Sequence, residues 1–173
     1  GLNFTQEPTG DPRIRQAIAH AIDVDSINAF VVEDAMEPAA GVLATGVFGY
    51  AETDVVDRYA YDPDRALELF AEAGYEQNDD GNLVDANGEP LRLVQWASVG
   101  RDLKDKEVSE TVAAQLREIG VTIEYVQREW GAYLSALALD EVDYNMFTMG
   151  WVKVSNVHLK KAASTLARGL ITI

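Results

Sequence analysis

The sequence predicts an α/β fold in which a mixed sheet is flanked by helices and carries one β-hairpin. From residue 91 onward, short apolar segments alternate with segments of helical periodicity in the order β-α-β-α-β. Upstream, the Asp-Pro pairs at Asp11-Pro12 and Asp62-Pro63 each join a helix cap to a residue suited to the first helical position. With 173 residues, 47% of them hydrophobic, the chain is long enough to bury one core.

The first half of the chain predicts three helices and one loop. A helix over residues 12–22 follows from apolar residues at helical spacing: Ile14, Ala17, Ile18, Ala21 and Ile22. We expect Asp25 to cap a second, short helix that carries Ile27, Phe30 and Val31. The glycines and prolines of residues 37–50 predict an exposed loop.

The helix that follows Asp62-Pro63 has one apolar stripe and a glycine at its end. Ala66, Leu69, Phe70 and Ala73 form the stripe, and Gly74 stands where a left-handed residue closes a helix. Residues 82–96 then predict a β-hairpin around the Asn87-Gly88 step. A calcium loop that begins at Asp85 is the alternative, but its sixth position is Pro90 and its twelfth is Trp96, where glycine and a carboxylate are needed.

The alternating region supplies the parallel part of the sheet. Its strands and helices are predicted over residues 91–96, 103–119, 121–127, 130–139 and 144–149, with Gly120 closing the first helix. In that helix we expect one buried face made of Val108, Val112, Leu116 and Ile119. Right-handed crossovers then place the three strands parallel or nearly so, with the helices packed against them.

A formal charge of −15 excludes several classes of partner. Nucleic acids and anionic membrane surfaces would be repelled. The acidic residues are spread along the chain, which is typical of a solvated acidic surface. Before Trp151 the basic residues are arginines except for Lys104 and Lys106, and this balance indicates a protein from a high-salt habitat, with the charge maintaining solubility.

Signals for catalysis or metal binding are weak. His20 and His158 are the only histidines, and no serine lies in a Gly-x-Ser-x-Gly motif. The glycines of residues 46–49 lack the lysine of a phosphate-binding loop, and adjacent carboxylates such as Asp79-Asp80 are expected by chance in so acidic a chain. The sequence has no cysteine for a disulfide or a thiolate metal site. We therefore predict a protein that is not an enzyme, with no catalytic residue, no metal and no cofactor.

Aromatic residues are the remaining candidates for ligand contacts. Most of them are expected to pack in the core or in loops: Tyr50, Tyr59, Trp96, Trp130, Tyr133 and Phe147. Trp151 differs because it directly follows the predicted strand over residues 144–149, and ligands of α/β proteins tend to bind at the carboxyl ends of strands. Gly150 permits close approach of a ligand, so Trp151 is predicted to offer a stacking surface.

Five segments in order carry a family resemblance. They are NFTQEPTGDPRIRQAIAHAID, YDPDRALELFAEAGY, NGEPLRL, VAAQLREIGVTIEYVQREWGAYLSAL and DYNMFTMGW. Over residues 1–151 the chain resembles the C-terminal lobe of the peptide-, oligopeptide- and nickel-binding proteins of ABC importers, which form extracellular solute-binding protein family 5. The resemblance implies one lobe of a periplasmic-binding-protein-like fold.

The family's properties give expectations about function. Its members are two-lobed proteins outside the cytoplasmic membrane that close over a solute and present it to a membrane permease. The resemblance implies that GLNFT and MGW lie near the crossings between lobes, and that the amino-terminal lobe, with its signal or anchor, lies outside this segment. No run of about 20 apolar residues would insert this segment into a bilayer. An alternative is a stand-alone interaction or structural domain derived from such a lobe, without a transport role.

The expected ligand-binding residues are Met149, Gly150 and Trp151, carried over from the family's Gly-Trp step. In peptide-binding members an aspartate three residues beyond the tryptophan holds the α-amino group of the ligand, whereas this sequence has Val154. The resemblance therefore implies a peptide or a related small solute as ligand, and the missing aspartate leaves recognition of a peptide amino terminus open.

The composition changes after Trp151. All 29 acidic residues lie at or before Asp143, whereas residues 152–173 carry only basic charges, at Lys153, Lys160, Lys161 and Arg168. We predict a lobe over residues 1–151 and an atypical basic tail over residues 152–173. The tail is either a genuine docking segment or a non-native, out-of-frame ending.

Overall fold

The computed structural model describes residues 1–35, 59–101, 104–137 and 143–149, together with the backbone of the strand Leu170–Ile171. Its helices are α1 (Pro12–Ala21), α2 (Val24–Ser26), α3 (Pro63–Glu72), α4 (Asp105–Glu118) and α5 (Trp130–Leu137), with a π-helical turn at Ile27–Val31. Its strands are β1 (Leu2–Asn3), β2 (Glu76–Gln77), β3 (Leu83–Val84), β4 (Arg92–Val99), β5 (Thr122–Glu129), β6 (Met146–Thr148) and β7 (Leu170–Ile171). No described helix is both long and apolar enough to cross a membrane.

The main sheet has five strands in the order β5-β4-β6-β1-β7. Strand β4 lies between β5 and β6 and runs parallel to both, so crossover connections that include α4 and α5 link these strands. Strand β1 runs antiparallel to β6 and β7. The predicted mixed α/β sheet is therefore confirmed, and the two-residue strands β1 and β7 are additions that the sequence pattern did not predict.

The two helices that begin at Asp-Pro pairs form as predicted. Asp11 accepts a hydrogen bond from the backbone N–H of Arg13, and Asp62 accepts one from that of Arg65. Gly74 follows α3 in the left-handed region, with φ +95°. Both helices pack on one side of the sheet in a single apolar core, whose fully buried residues include Ile14, Ile18, Phe70, Leu91, Leu93 and Leu116.

The buried face of α4 differs from the predicted one. The side chains that are buried are Ser109, Ala113 and Leu116, whereas Val108 and Val112 are only half-buried. The small residues at positions 109 and 113 let the helix lie close to β4, so the bulkier valines are displaced to the flank of the contact. The prediction was therefore wrong about where the buried face of α4 begins, which is at Ser109 and not at Val108.

The second short helix also differs from its prediction. Its cap is Asp23, whose carboxylate accepts from the backbone N–H of Ser26 at 2.9 Å, and not Asp25. The chain continues into the π-helical turn, in which Ile27 is buried but Phe30 is 85% exposed. The predicted loop over residues 37–50 lies outside the described residues.

The turn around Asn87-Gly88 forms, but the hairpin is shorter than predicted. Asp85 accepts from the backbone N–H groups of Asn87 and Glu89, and an isolated bridge joins Val84 to Pro90. Strand β3 then pairs with β2, whereas β4 leaves the hairpin and pairs with β5 and β6 in the main sheet. Residues 91–96 thus belong mainly to the parallel sheet.

Strand β6 begins two residues later than predicted because a side chain replaces part of its ladder. Asn145 donates its backbone N–H to the carbonyl of Val94, and its side-chain Oδ1 accepts from the N–H of Val94 at 2.8 Å. Its Nδ2 group donates to the carbonyl of Glu7 at 2.9 Å. Asn145 therefore fastens β6 to β4 and to the segment that follows β1.

Candidate functional site

The carboxyl ends of β4, β5 and β6 lie together at one edge of the sheet. Val99 pairs with Glu129, and Ala97 pairs with Thr148, so the three parallel strands end at nearly the same level. We call this region the carboxyl edge. In open α/β sheets this is the edge at which ligands bind.

One face of the sheet near the carboxyl edge carries an aromatic cluster. Its buried members are Trp96, Tyr133 and Tyr144, and Trp130, Phe147 and Met149 pack against them. The rings of Trp96 and Tyr144 lie 4.8 Å apart between centroids, and those of Trp130 and Tyr133 lie 6.1 Å apart. These distances are those of mutually attractive aromatic pairs, so the cluster is a rigid apolar surface beneath the edge.

The two buried tyrosines of the cluster are neutral. The hydroxyl of Tyr133 donates to the carbonyl of Thr148 at 3.0 Å, and burial raises the pKa of Tyr133 far above its usual range. Burial also raises the pKa of Tyr144 to about 12, because the charged phenolate is poorly solvated there. Tyr133 therefore serves to fix α5 against the end of β6.

Two arginines lie over tryptophan rings at the carboxyl edge. The guanidinium carbon of Arg101 is 3.9 Å from the centre of the Trp130 ring, and that of Arg128 is 4.1 Å from the centre of the Trp96 ring. Both distances are within the range of cation–π attraction. The edge thus combines positive charge with aromatic surface in a chain whose formal charge is −15.

The carboxylate of Glu129 caps the amino-terminal end of α5. It accepts from the backbone N–H of Gly131 at 2.9 Å and from that of Ala132 at 3.3 Å. These hydrogen bonds lower the pKa of Glu129, because they favour its charged form. Glu129 therefore determines the direction in which Trp130 and the rest of α5 leave the sheet.

Of the three predicted ligand-binding residues, Met149 alone lies within the described part of the chain. Met149 is half-buried and packs against the aromatic cluster. Gly150 and Trp151 lie outside the described residues, so their role stays a prediction, as does the division at residue 151 between a lobe and a basic tail. The structure adds Arg101, Arg128 and Trp130 at this edge, which the sequence pattern did not indicate as site residues.

The other residues considered for catalysis or metal binding form no site within the described residues. His20 lies with its Nδ1 atom 2.9 Å from the carbonyl oxygen of Ala60, on the opposite side of the sheet from the aromatic cluster. Within the described part of the chain, no group of three histidine or acidic side chains is placed to hold a metal ion. The glycines of residues 46–49 lie outside that part.

Comparison with known proteins identifies the kind of domain to which this edge belongs. A family model described as bacterial extracellular solute-binding proteins, family 5 middle, matches residues 1–160. The dipeptide-binding protein of Escherichia coli K12 is 29% identical over 149 residues, which are 86% of this chain and 25% of that protein. The nickel-binding periplasmic protein of the same strain is 27% identical over 128 residues, 74% of this chain and 24% of that protein.

A solved structure agrees with the fold. The oligopeptide-binding protein AppA from Bacillus subtilis, in complex with a nonapeptide, superposes with a TM-score of 0.78 at 26% identity, covering 87% of this chain and 30% of that chain. The predicted periplasmic-binding-protein-like lobe is therefore confirmed. The chain spans about a quarter of the length of the curated relatives it matches.

Proposed function

The chain belongs to family 5 of the bacterial extracellular solute-binding proteins, and from this membership we propose that it is a ligand-binding lobe of an ABC-importer substrate-binding protein for peptides or a related small solute. The lobe binds and does not catalyse. The observation that carries the proposal is the carboxyl edge, where three parallel strands end beside an aromatic cluster and two arginines.

The chemistry of the edge suits a peptide. Aromatic rings such as Trp130 provide large apolar area for side chains of a ligand at little entropic cost. Guanidinium groups donate hydrogen bonds to carbonyl and carboxylate oxygens, which every peptide carries. Two of the matched proteins are named for dipeptide binding and oligopeptide binding, which supports a peptide over the nickel named for the third.

We propose that the protein acts outside the cytoplasmic membrane and delivers its solute to a membrane permease of an ABC importer. The family description, extracellular solute binding, supports this location. Because the relatives are about four times as long as the matched region, we further propose that the second half of the ligand cage comes from parts of the protein beyond this sequence. Met149, Gly150 and Trp151 would then face the ligand from this lobe.

The alternative is a stand-alone interaction or structural domain with no transport role. The two functions differ in what they require at the carboxyl edge. Transport requires solute binding there, whereas a structural domain does not.

Calorimetric titration of the protein, at the full length its gene encodes, tests the proposal. The ligands are Ala-Phe, Ala-Phe-Ala and, separately, a nickel salt. We expect saturable peptide binding that Trp151→Ala weakens by about 1–3 kcal/mol, because the indole stacks on the ligand and excludes water. Tyr61→Ala is the matched control, since Tyr61 is an exposed aromatic that precedes α3.

The outcomes separate the candidates. Peptide binding that Trp151→Ala and Tyr61→Ala change equally would remove Trp151 from the site. Binding of nickel without peptide would change the solute class. Binding of neither would favour the stand-alone domain.

We also propose a saline habitat for the source of the protein. The charge of −15 and the preference for arginine over lysine before Trp151 support it, because a dense acidic surface keeps a protein dispersed in brine.

A further inference from the structure

We propose that the outer edge of β5 is a self-pairing surface, through which two copies of this protein join their sheets by antiparallel pairing of β5 with β5 about a twofold axis at Val126. The inference concerns assembly and does not depend on the proposed solute. It rests on the position of β5 in the sheet, on the direction of its backbone groups and on the order of its charged side chains.

Strand β5 lies at the end of the main sheet. In the order β5-β4-β6-β1-β7, it pairs with β4 along its whole length, from Thr122 to Glu129, and no strand of the described residues lies on its other side. It has eight residues, as many as β4. A long edge strand presents a row of N–H and C=O groups to which a further strand can be added.

The backbone groups of β5 alternate between β4 and the outer side. The N–H of Thr122 donates to the carbonyl of Leu91, immediately before β4, so the even-numbered residues of β5 face β4 and the odd-numbered ones face outward. The carbonyl of Ile123 agrees with this assignment, because it accepts from the guanidinium of Arg117 at 2.9 Å. That contact covers the beginning of the outer edge and leaves its later part for pairing.

The outward backbone groups permit only a few ways to pair two copies. In an antiparallel pair, outward residues must face outward residues, so the twofold axis passes through Tyr125, Val126 or Gln127. With the axis at Val126, Tyr125 of each copy faces Gln127 of the other. Each of these two residue pairs exchanges two backbone hydrogen bonds, which gives four in total.

The charged side chains select the axis at Val126. In that register Glu124 of each copy faces Arg128 of the other, at positions without backbone bonds, where the Cα atoms are only about 4.5 Å apart. Opposite charges that face each other across strands attract. An axis at Tyr125 would place Glu124 opposite Val126, and an axis at Gln127 would place Arg128 opposite Val126. The edge is therefore self-complementary in one register, as a twofold interface requires.

Both charged side chains keep polar groups for a second copy. Glu124 is exposed and pairs with Arg92 of β4, and its two carboxylate oxygens can accept from two guanidinium groups at once. Arg128 forms no ion pair within the described part of the chain. Its guanidinium lies over the ring of Trp96, a contact that uses the flat face of the group and leaves N–H donors at its rim for a carboxylate.

Sedimentation equilibrium of the protein, at the full length its gene encodes, tests the assembly. The measurement is made in molar potassium chloride, because two copies of a chain with a charge of −15 repel each other in dilute buffer. We expect a reversible dimer with a dissociation constant of roughly 10–300 μM, since four backbone bonds and two ion pairs form a small interface. A protein that stays monomeric up to about 1 mM would overturn the proposal.

A charge exchange tests the register. Glu124→Arg and Arg128→Glu each place like charges opposite each other, so each variant alone should dimerise at least about tenfold more weakly. An equal mixture of the two should recover the affinity, because every arginine then faces a glutamate. Glu107→Arg, on the exposed first turn of α4, is the matched control and should dimerise like the unchanged protein. Single variants that dimerise normally, or a mixture no tighter than its components, would overturn the register.

A backbone variant tests the edge pairing separately from the charges. Gln127→Pro removes an N–H that faces away from β4, which an edge strand tolerates, whereas Gln127→Thr keeps that N–H. Both variants lose the same side-chain contacts, with Tyr125 and Glu110. We expect the proline variant to dimerise at least about tenfold more weakly than the threonine variant, with thermal melting confirming that both are folded. Equal affinities would show that β5 does not pair through this edge.

Discussion

Gly120 shows how a single residue fixes the joint between α4 and β5. Its φ of +98° lies in the left-handed region, and a Cβ atom added there would meet the backbone of Gly81 and lie 2.9 Å from the nitrogen of Leu83. Its carbonyl accepts from the N–H of Leu83 at 2.9 Å. The loop before β3 thus packs directly on this glycine, and no larger residue fits.

We expect Gly120→Ala to destabilise the fold by about 2–4 kcal/mol, because the left-handed backbone and the contact with Gly81 both oppose a side chain. Gly74→Ala is the matched control. Gly74 has a similar φ of +95° but nothing near its missing Cβ, so it should lose only about 1 kcal/mol. Urea unfolding of both variants measures the difference, and equal losses would show that the close contact contributes nothing.

At the scale of single residues, the sequence predicted hydrogen bonds between near neighbours in the chain better than contacts between distant segments. The caps Asp11 and Asp62 were predicted because a cap depends on its immediate neighbours. The stacking of Arg128 on Trp96 and the buried hydroxyl of Ser98 were not predicted, because both depend on which strands pair and in which register. The sequence did offer one indication of this site, because the segment Arg128-Glu129-Trp130 places a cation and an aromatic ring at the end of a predicted strand.

Asn145 is the joint on which the placement of β6 depends. Its side chain accepts from the N–H of Val94 and donates to the carbonyl of Glu7, and its own carbonyl accepts from the N–H of Asn3. One 6%-exposed residue thus connects β6 to β4 and to the segment around β1. The end of β6, and with it Met149, is positioned through these bonds.

We expect Asn145→Ala to cost about 2–4 kcal/mol of stability, because it leaves the N–H of Val94 and the carbonyl of Glu7 without their partners. The same substitution at Asn87 is the control. Asn87 is exposed in the turn before β4, so its loss should be within about 0.5 kcal/mol. Thermal or urea unfolding of the two variants provides the comparison, and a small effect at Asn145 would contradict its role as the joint.

Among the elements, periodic segments were predicted and very short ones were not. Helices α1, α3 and α4 and strands β4 and β5 were predicted because each repeats its pattern over several residues. Strands β1 and β2 have two residues each, too few for any pattern, and they exist because distant segments offer them partners. The predicted hairpin was too long, because the turn signal at Asn87-Gly88 does not specify how many residues on either side of the turn pair with each other.

The charge of −15 is a property of the whole molecule. We expect the melting temperature to rise by roughly 5 °C or more between dilute buffer and molar potassium chloride, as salt screens the repulsion between acidic side chains. The double variant Asp79→Asn, Asp80→Asn should melt higher in dilute buffer and respond less to salt. A melting temperature that is independent of salt in both proteins would count against an adaptation to brine.

The central claim is that this lobe binds its solute at the carboxyl edge, and NMR mapping of the bound ligand tests it most directly. Backbone amide shifts of the full-length protein are followed during titration with Ala-Phe-Ala. We predict that, within this lobe, the largest shifts fall on residues that follow β4, β5 and β6, including Arg101, Trp130 and Met149. Shifts concentrated instead at the opposite edge, around Leu91 and Val121, or an absence of shifts in this lobe, would contradict the claim.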